Sequence, residues 1–415
     1  LQSELRQHWR LLLAASAGVV CSSIVLPFYT IGALLKPLTE AFGWSRADVQ
    51  TALVFSTGLS ALTAMGVGWL NDRYGPRPVA LPGLVGLALA FFFAANMNGS
   101  LWMLYLAYGS MAVLGAGTTP VTWTRALTTQ FDRQRGLALG IALTGTGVCA
   151  ILAPLYTVML VEHFGWRGAF IGIGLLPLLL AGPLVWSGFH VKPPVKAAVE
   201  DTAPGSSSLS ATVGASDWGL TLGEAASGYR FWILGASIFL VYLAVSGISP
   251  NLIAALGDKG YPPSVAAAAQ SAYGLAIISS RLVVGFLVDR FWAPGVALVS
   301  LLLPVAGCLL LANADPGFML ILVACSLIGL AAGAELDLMA YLTARYFGPR
   351  HYAKIYAVLY ALLAIAGGVA PMLFARLYER TASYTASFHV AAALLVVGAV
   401  LLPLLGRQPP TKGHP

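Results

Sequence analysis

Apolar runs separated by short polar breaks fill most of the chain. They sit near residues 10–35, 47–70, 79–96, 101–130, 136–160 and 166–189, and again near 230–256, 264–290, 293–312, 317–345, 353–377 and 384–405. A crossing helix needs about 20 apolar residues to span roughly 30 Å of hydrocarbon, and each run is of that order. None shows the strict alternation of a barrel strand. Backbone groups in lipid must be satisfied within their own segment, so the runs are predicted to be helices. The pattern predicts an all-α membrane protein with twelve transmembrane helices.

The longest polar break covers 190–228, and its proline, serine, glycine and mixed charge mark a linker. It separates two six-helix bundles, 1–189 and 229–406, with a tail at 407–415. The bundles are pseudo-symmetric. Gly68-Trp-Leu-Asn-Asp72-Arg73 is echoed 217 residues later by Gly285-Phe-Leu-Val-Asp289-Arg290, and Gly43-Trp44-Ser45 falls opposite Gly260-Tyr261-Pro262 at the same offset. Gly165-Trp166-Arg167 and Phe170 fall opposite Ser383-Tyr384-Thr385 and Phe388 at offset 218, and Phe131 opposite Phe347 at 216. A nearly constant offset across four loops marks an internal repeat. In secondary transporters such repeats place the substrate near the midplane, between the two copies.

Composition agrees with the pattern. Of 415 residues 58% are hydrophobic and only 9% charged, where a soluble domain carries about 25% charged residues. The mean hydropathy is +0.80. Placement of the charges sets topology. With both termini in the cytoplasm, fifteen Lys and Arg fall on that side and six on the other, the bias that orients membrane proteins. The net charge of +7 therefore belongs to short loops, and no nucleic-acid partner is expected. Cys21, Cys149, Cys308 and Cys325 lie in apolar runs without metal or disulfide spacing, so they read as packing residues. No cofactor or metal is expected. No loop is large enough for a catalytic domain and no nucleophile–base pair is recognisable, which argues against an enzyme. No cleavable signal segment is expected, and the first apolar run reads as retained.

The stretch Gly68-Trp-Leu-Asn-Asp72-Arg73-Tyr-Gly75-Pro-Arg77 resembles the loop between spans 2 and 3 of the major facilitator superfamily, and the resemblance covers the whole chain. It implies two bundles that rock in alternating access. It also implies a charge-paired latch at the cytoplasmic end formed by Asp72, Arg73 and Arg77, with Asp289 and Arg290 as the second copy; a purely topological basic loop is the alternative. Phe42-Gly43-Trp44-Ser45-Arg46 and the span 8 arginine, Arg281, resemble the oxalate/formate and monocarboxylate transporter branch, where that arginine meets the substrate carboxylate. The chain departs from this branch at three places. Ile277 stands where animal carriers have aspartate, Tyr29 where they have a span 1 lysine, and no lysine lies between Ile355 and Leu373.

Two of the 23 basic residues, Arg125 and Arg281, fall inside spans, as do Glu335 and Asp337. Burying such charge costs about 2.5–3.5 kcal/mol or more, so each needs a cavity or a partner. Arg281 lies eight residues before Asp289, about 12 Å inside the bilayer at 1.5 Å per residue, where a guanidinium can hold a substrate carboxylate. A structural ion pair is the alternative. Glu335 and Asp337 point about 200° apart on one helix, so they cannot share a face. A carboxyl shielded from water can carry a proton at neutral pH, which suits proton coupling. Pairing with Arg281 or Arg125, or contact with a cationic part of the substrate, is the other reading. Arg125 suits anion attraction, gating or an interhelical pair. Tyr29, Thr30, Asn251, Gln270, Tyr273 and Tyr360 are cavity candidates, or equally interhelical hydrogen bonds. His389 reads as a packing residue.

The sequence predicts a secondary transporter for a small organic anion, moved with a proton or by exchange. A drug or amphiphile exporter of the same fold is the alternative. Lipid and the substrate are the expected partners, the protein a monomer, and the site a bacterial inner membrane with cytoplasmic termini.

Overall fold

In a computed structural model of the chain, residues 4–128, 130–131, 135–189, 219–313, 316–348 and 351–406 are described. Most of the predicted linker and the tail at 407–415 lie outside them. The first helices are α1 (Glu4–Gln7), α2 (Trp9–Val20), α3 (Val25–Phe42), α4 (Arg46–Tyr74), α5 (Pro76–Ala95), α6 (Leu101–Leu114), α7 (Pro120–Thr128), α8 (Arg135–Leu143), α9 (Gly145–Leu176) and α10 (Gly182–Gly188). A second set follows: α11 (Leu222–Ser227), α12 (Tyr229–Ile248), α13 (Leu252–Asp258), α14 (Pro263–Arg290), α15 (Ala293–Ala312), α16 (Phe318–Phe347), α17 (Tyr352–Thr381) and α18 (Thr385–Leu401). No strand occurs among the described residues.

Nine segments of the described residues are long and apolar enough to cross a bilayer. The longest, Ala138–Gly188, has 51 residues, or about 77 Å of helix, more than twice the hydrocarbon thickness. It is interrupted at Gly165, whose φ of 68° and ψ of −178° suit glycine alone. That break sits at the loop predicted between 160 and 166. The predicted run 47–70 lies within one helix, α4, whereas the second such run, 101–130, is not among the nine. The second is split by a 3₁₀ turn, Ala116–Thr118, into α6 and α7. The first run is likewise broken between α2 and α3, and the two breaks meet: Ser23 N–H donates to Thr118 Oγ1 at 2.9 Å. The end of the predicted linker is ordered. Thr221 and Glu224 cap α11 reciprocally, and Leu220 N–H donates to the Phe347 carbonyl at 2.8 Å.

Two side-chain cores are drawn from residues 11–189 and a third almost wholly from 225–405. The sets meet where α4 packs on α17, α9 on α14, and α3 on α13. Small residues permit the close approach. A methyl group on Gly147 would lie 2.5 Å from Ile278 and 2.9 Å from the Gly274 carbonyl oxygen. Gly147→Val is therefore expected to cost about 1–3 kcal/mol or more through overpacking, read as a lower melting temperature in heated size-exclusion runs. An unchanged melting temperature would mean that the α9–α14 seam is slack.

Candidate functional site

The buried charges converge. Arg281 on α14 donates from Nη1 to Asp337 Oδ1 on α16 at 3.2 Å, and their side chains are only 8% and 11% exposed. Arg281 Nε has no hydrogen-bond partner, so part of the guanidinium fork is uncommitted. Glu335, two residues from Asp337, is buried on another face of α16. It lines a cavity of about 20 Å³ walled by Leu234, Ser237, Val241, Leu301 and Leu338, and its Oε2 has no partner. The Arg281 charge still acts on it. The two carboxyls part company: Asp337 takes the arginine, and Glu335 lines the small, mostly apolar cavity.

Tyrosines surround this cluster. Tyr29, Tyr242 and Tyr273 lie within electrostatic reach of Glu335. Tyr29 packs against cores of both helix sets. Tyr352, Tyr356 and Tyr360 stack along α17 at centroid distances of 5.4 and 6.2 Å, because a spacing of four residues puts them on one helix face. Tyr356 feels both Arg281 and Asp337. Sequence reasoning missed Tyr242, Tyr352 and Tyr356. Only the i, i+4 spacing of the last two signals a shared face.

A second constellation joins the helix sets at the end holding the α3–α4, α13–α14 and α17–α18 turns. Gly43, with a left-handed φ of 69°, ends α3, and Ser45 and Asp48 form a capping box that starts α4, which fixes Arg46 at the first helical position. Arg46 Nη1 and Nη2 donate to Asp258 Oδ2 and Oδ1 at 2.6 and 2.9 Å. The guanidinium lies over the Tyr378 ring, 4.2 Å from its centroid, and donates to Tyr384 Oη at 3.3 Å. Ala47 N–H donates to Glu379 Oε1 at 2.9 Å. Beneath, Gln50 Nε2 and Tyr384 Oη both donate to Asn251 Oδ1, at 3.3 and 3.2 Å. Bidentate, charge-assisted bonds of this kind are about twice as strong as neutral ones. Arg46 entered the sequence reading only as loop charge and family motif, and Asp258 not at all.

The other candidates fall elsewhere. Thr30 Oγ1 donates to its own helix, to the Leu26 carbonyl. Asn251 belongs to the Arg46 network. Gln270 is buried with Oε1 unpartnered. Arg125 lies on α7, below the break in its run. Arg73 stacks on Trp69 and Tyr74, Arg77 on Trp186 and Arg290 on Phe286. The side chains of Asp72 and Asp289 lie outside the described residues. His389 is exposed and lines an open groove of about 570 Å³ with Leu309, Leu310 and Asn313.

The family model of the Major Facilitator Superfamily matches residues 17–235 and again 234–415. The chain belongs to the major facilitator superfamily. It is an integral membrane transporter and not an enzyme. Among members of the superfamily, monocarboxylate transporter 11 of Homo sapiens is 29% identical over 298 residues, which is 69% of this chain and 58% of that protein. Monocarboxylate transporter 13 of Bos taurus is 28% identical over 345 residues, 80% of this chain and 74% of that one. The chain thus spans less than two thirds of the human relative's length. Its fold is similar to a bacterial homologue of the human lysosomal transporter Spinster in an inward-facing, occupied conformation. The TM-score is 0.70 at 16% identity, covering 99% of this chain and 98% of that one.

Proposed function

We propose that this transporter moves small monocarboxylates together with a proton, by alternating access of two six-helix bundles with twelve spans and cytoplasmic termini. The observation that carries this reading is the buried Arg281–Asp337 pair. Asp337 is a carboxylate held on a guanidinium with an uncommitted Nε. A cargo carboxylate offers the same chemistry and can join or displace it. The names of the relatives point to the same class of cargo. The Arg46 constellation acts as the latch of the outer end in this reading.

Charge balance supplies the coupling. Arg281, Asp337 and Glu335 sum to −1 when all are ionised, and a cargo carboxylate would make −2 in a site shielded from water. A proton taken up with the cargo restores the balance. Glu335→Gln is expected to keep exchange of labelled carboxylate across proteoliposomes while losing accumulation driven by a proton gradient. Gradient-driven accumulation by this variant would remove Glu335 from the coupling.

The decisive experiment is uptake of a panel of small carboxylates by proteoliposomes, with and without an inward proton gradient. Uptake accelerated by the gradient supports the proposal. Uptake without gradient dependence keeps the anion and leaves exchange. A panel with no uptake moves the assignment to an exporter of drugs or amphiphiles.

A further inference from the structure

We propose that Arg46 is a second carboxylate-binding site, at the outer mouth, and that cargo entering from outside opens the mouth by displacing Asp258 from it. This rests on the reading that the cargo is a carboxylate. The site already holds a carboxylate. Asp258 occupies both Nη atoms of Arg46 in the fork geometry at 2.6 and 2.9 Å, so whatever binds Asp258 binds any free carboxylate of similar shape.

The surroundings make Arg46 an anion site independently of Asp258. Tyr378 supports the guanidinium face, with Tyr384 stacked on Tyr378 at 4.5 Å, which holds the fork in place. The neighbouring Ala47 N–H, at the start of α4, is committed to a second carboxylate, that of Glu379. The pair is accessible, at 22% exposure for Arg46 and 32% for Asp258, whereas Arg281 and Asp337 are sealed. Cargo outside therefore meets Arg46 first.

The consequence of exchange at Arg46 is mechanical. Asp258 ends α13 in the second helix set and Arg46 begins α4 in the first. A carboxylate supplied by Asp258 ties the sets together, whereas one supplied by the cargo does not. Cargo binding thus removes the charged tie between the sets while keeping Arg46 neutralised, and leaves the seam beneath, where Ser249-Pro250-Asn251 crosses α3, held by fewer and weaker contacts. The chain uses one chemistry twice, with an Arg–Asp pair at the mouth and another at depth, each exchangeable for the cargo.

The test uses Ser249→Cys as reporter, since Ser249 is only 5% exposed at the seam. The four buried native cysteines are first replaced by alanine. Right-side-out vesicles are labelled from outside with an impermeant maleimide in sodium lactate, against sodium chloride of equal ionic strength to control for screening. The deep site is then disabled with Arg281→Ala. Lactate is expected to accelerate labelling several-fold in both backgrounds, and Arg46→Gln is expected to label fast with no lactate response. Loss of the lactate response in Arg281→Ala and also in Arg281→Ala combined with Asp337→Ala, which removes both members of the buried pair, with Arg46 intact, overturns the proposal, because opening is then driven only from the deep site. The transport reading fails separately. A persistent lactate response without carboxylate uptake by the unmodified protein keeps the Arg46 site and removes the transport assignment.

Discussion

Arg281→Ala is expected to abolish carboxylate uptake, with the rate at low substrate falling on the order of 100-fold, since a hydrogen-bonded contact to a charged group contributes about 1.5–3 kcal/mol. The same change takes the guanidinium away from Asp337, whose side chain is only 11% exposed, and removing one member of a buried ion pair costs about 3–5 kcal/mol. Lost uptake could thus reflect lost folding. Two further variants separate the effects. Arg281→Ala combined with Asp337→Ala removes both charges, and is expected to fold close to normally while remaining inactive. Arg281→Lys keeps the charge without the planar fork, and is expected to retain uptake at reduced affinity. Uptake by the well-folded double variant at the normal rate would remove Arg281 from the cargo site.

Arg46→Ala is expected to shift the resting population toward the outward-open state by about 30-fold, corresponding to roughly 2 kcal/mol for the lost ion pair, the Tyr384 hydrogen bond and the Tyr378 stack. These contacts span the two helix sets at one end only, so their loss destabilises one conformation and spares the fold. Spin labels at Glu40 and Arg380, both exposed near the latched end, report the change. The distance distribution is expected to gain a longer component in the variant. An unaltered distribution with unaltered transport would mean that packing of α4 on α17 holds this end closed without help from charge.

Periodicity and charge made the helices and the repeat legible, because bilayer thickness dictates run length and the two copies share loop signatures. The break in the run 101–130 was not legible: Gly115-Ala-Gly117 reads as close packing, and only the contact of Thr118 with Ser23 shows an interruption. Arg281, Glu335 and Asp337 were recognisable because charge is rare in spans. The choice between the two carboxyls depended on how α16 is rotated against α14, which no local pattern records. The latch lay wholly outside the reach of sequence reading. Arg46 and Asp258 are 212 residues apart, in loops that the repeat pairs as equivalents rather than as partners. The missing aspartate of animal carriers, replaced by Ile277, has a physical counterpart in Asp337, which brings an acid to Arg281 from the neighbouring helix.

The interrupted run between Leu101 and Thr128 bears on how the protein is made. Its pieces, α6 and α7, are 14 and 9 residues long, about 21 and 14 Å, and neither crosses the hydrocarbon alone. What the break supplies is a side-chain acceptor: Thr118 Oγ1 takes the backbone N–H of Ser23, left over where the first run is itself broken. The break after α2 is therefore satisfied only once the run holding Thr118 lies beside it, which ties the assembly of these two segments to each other.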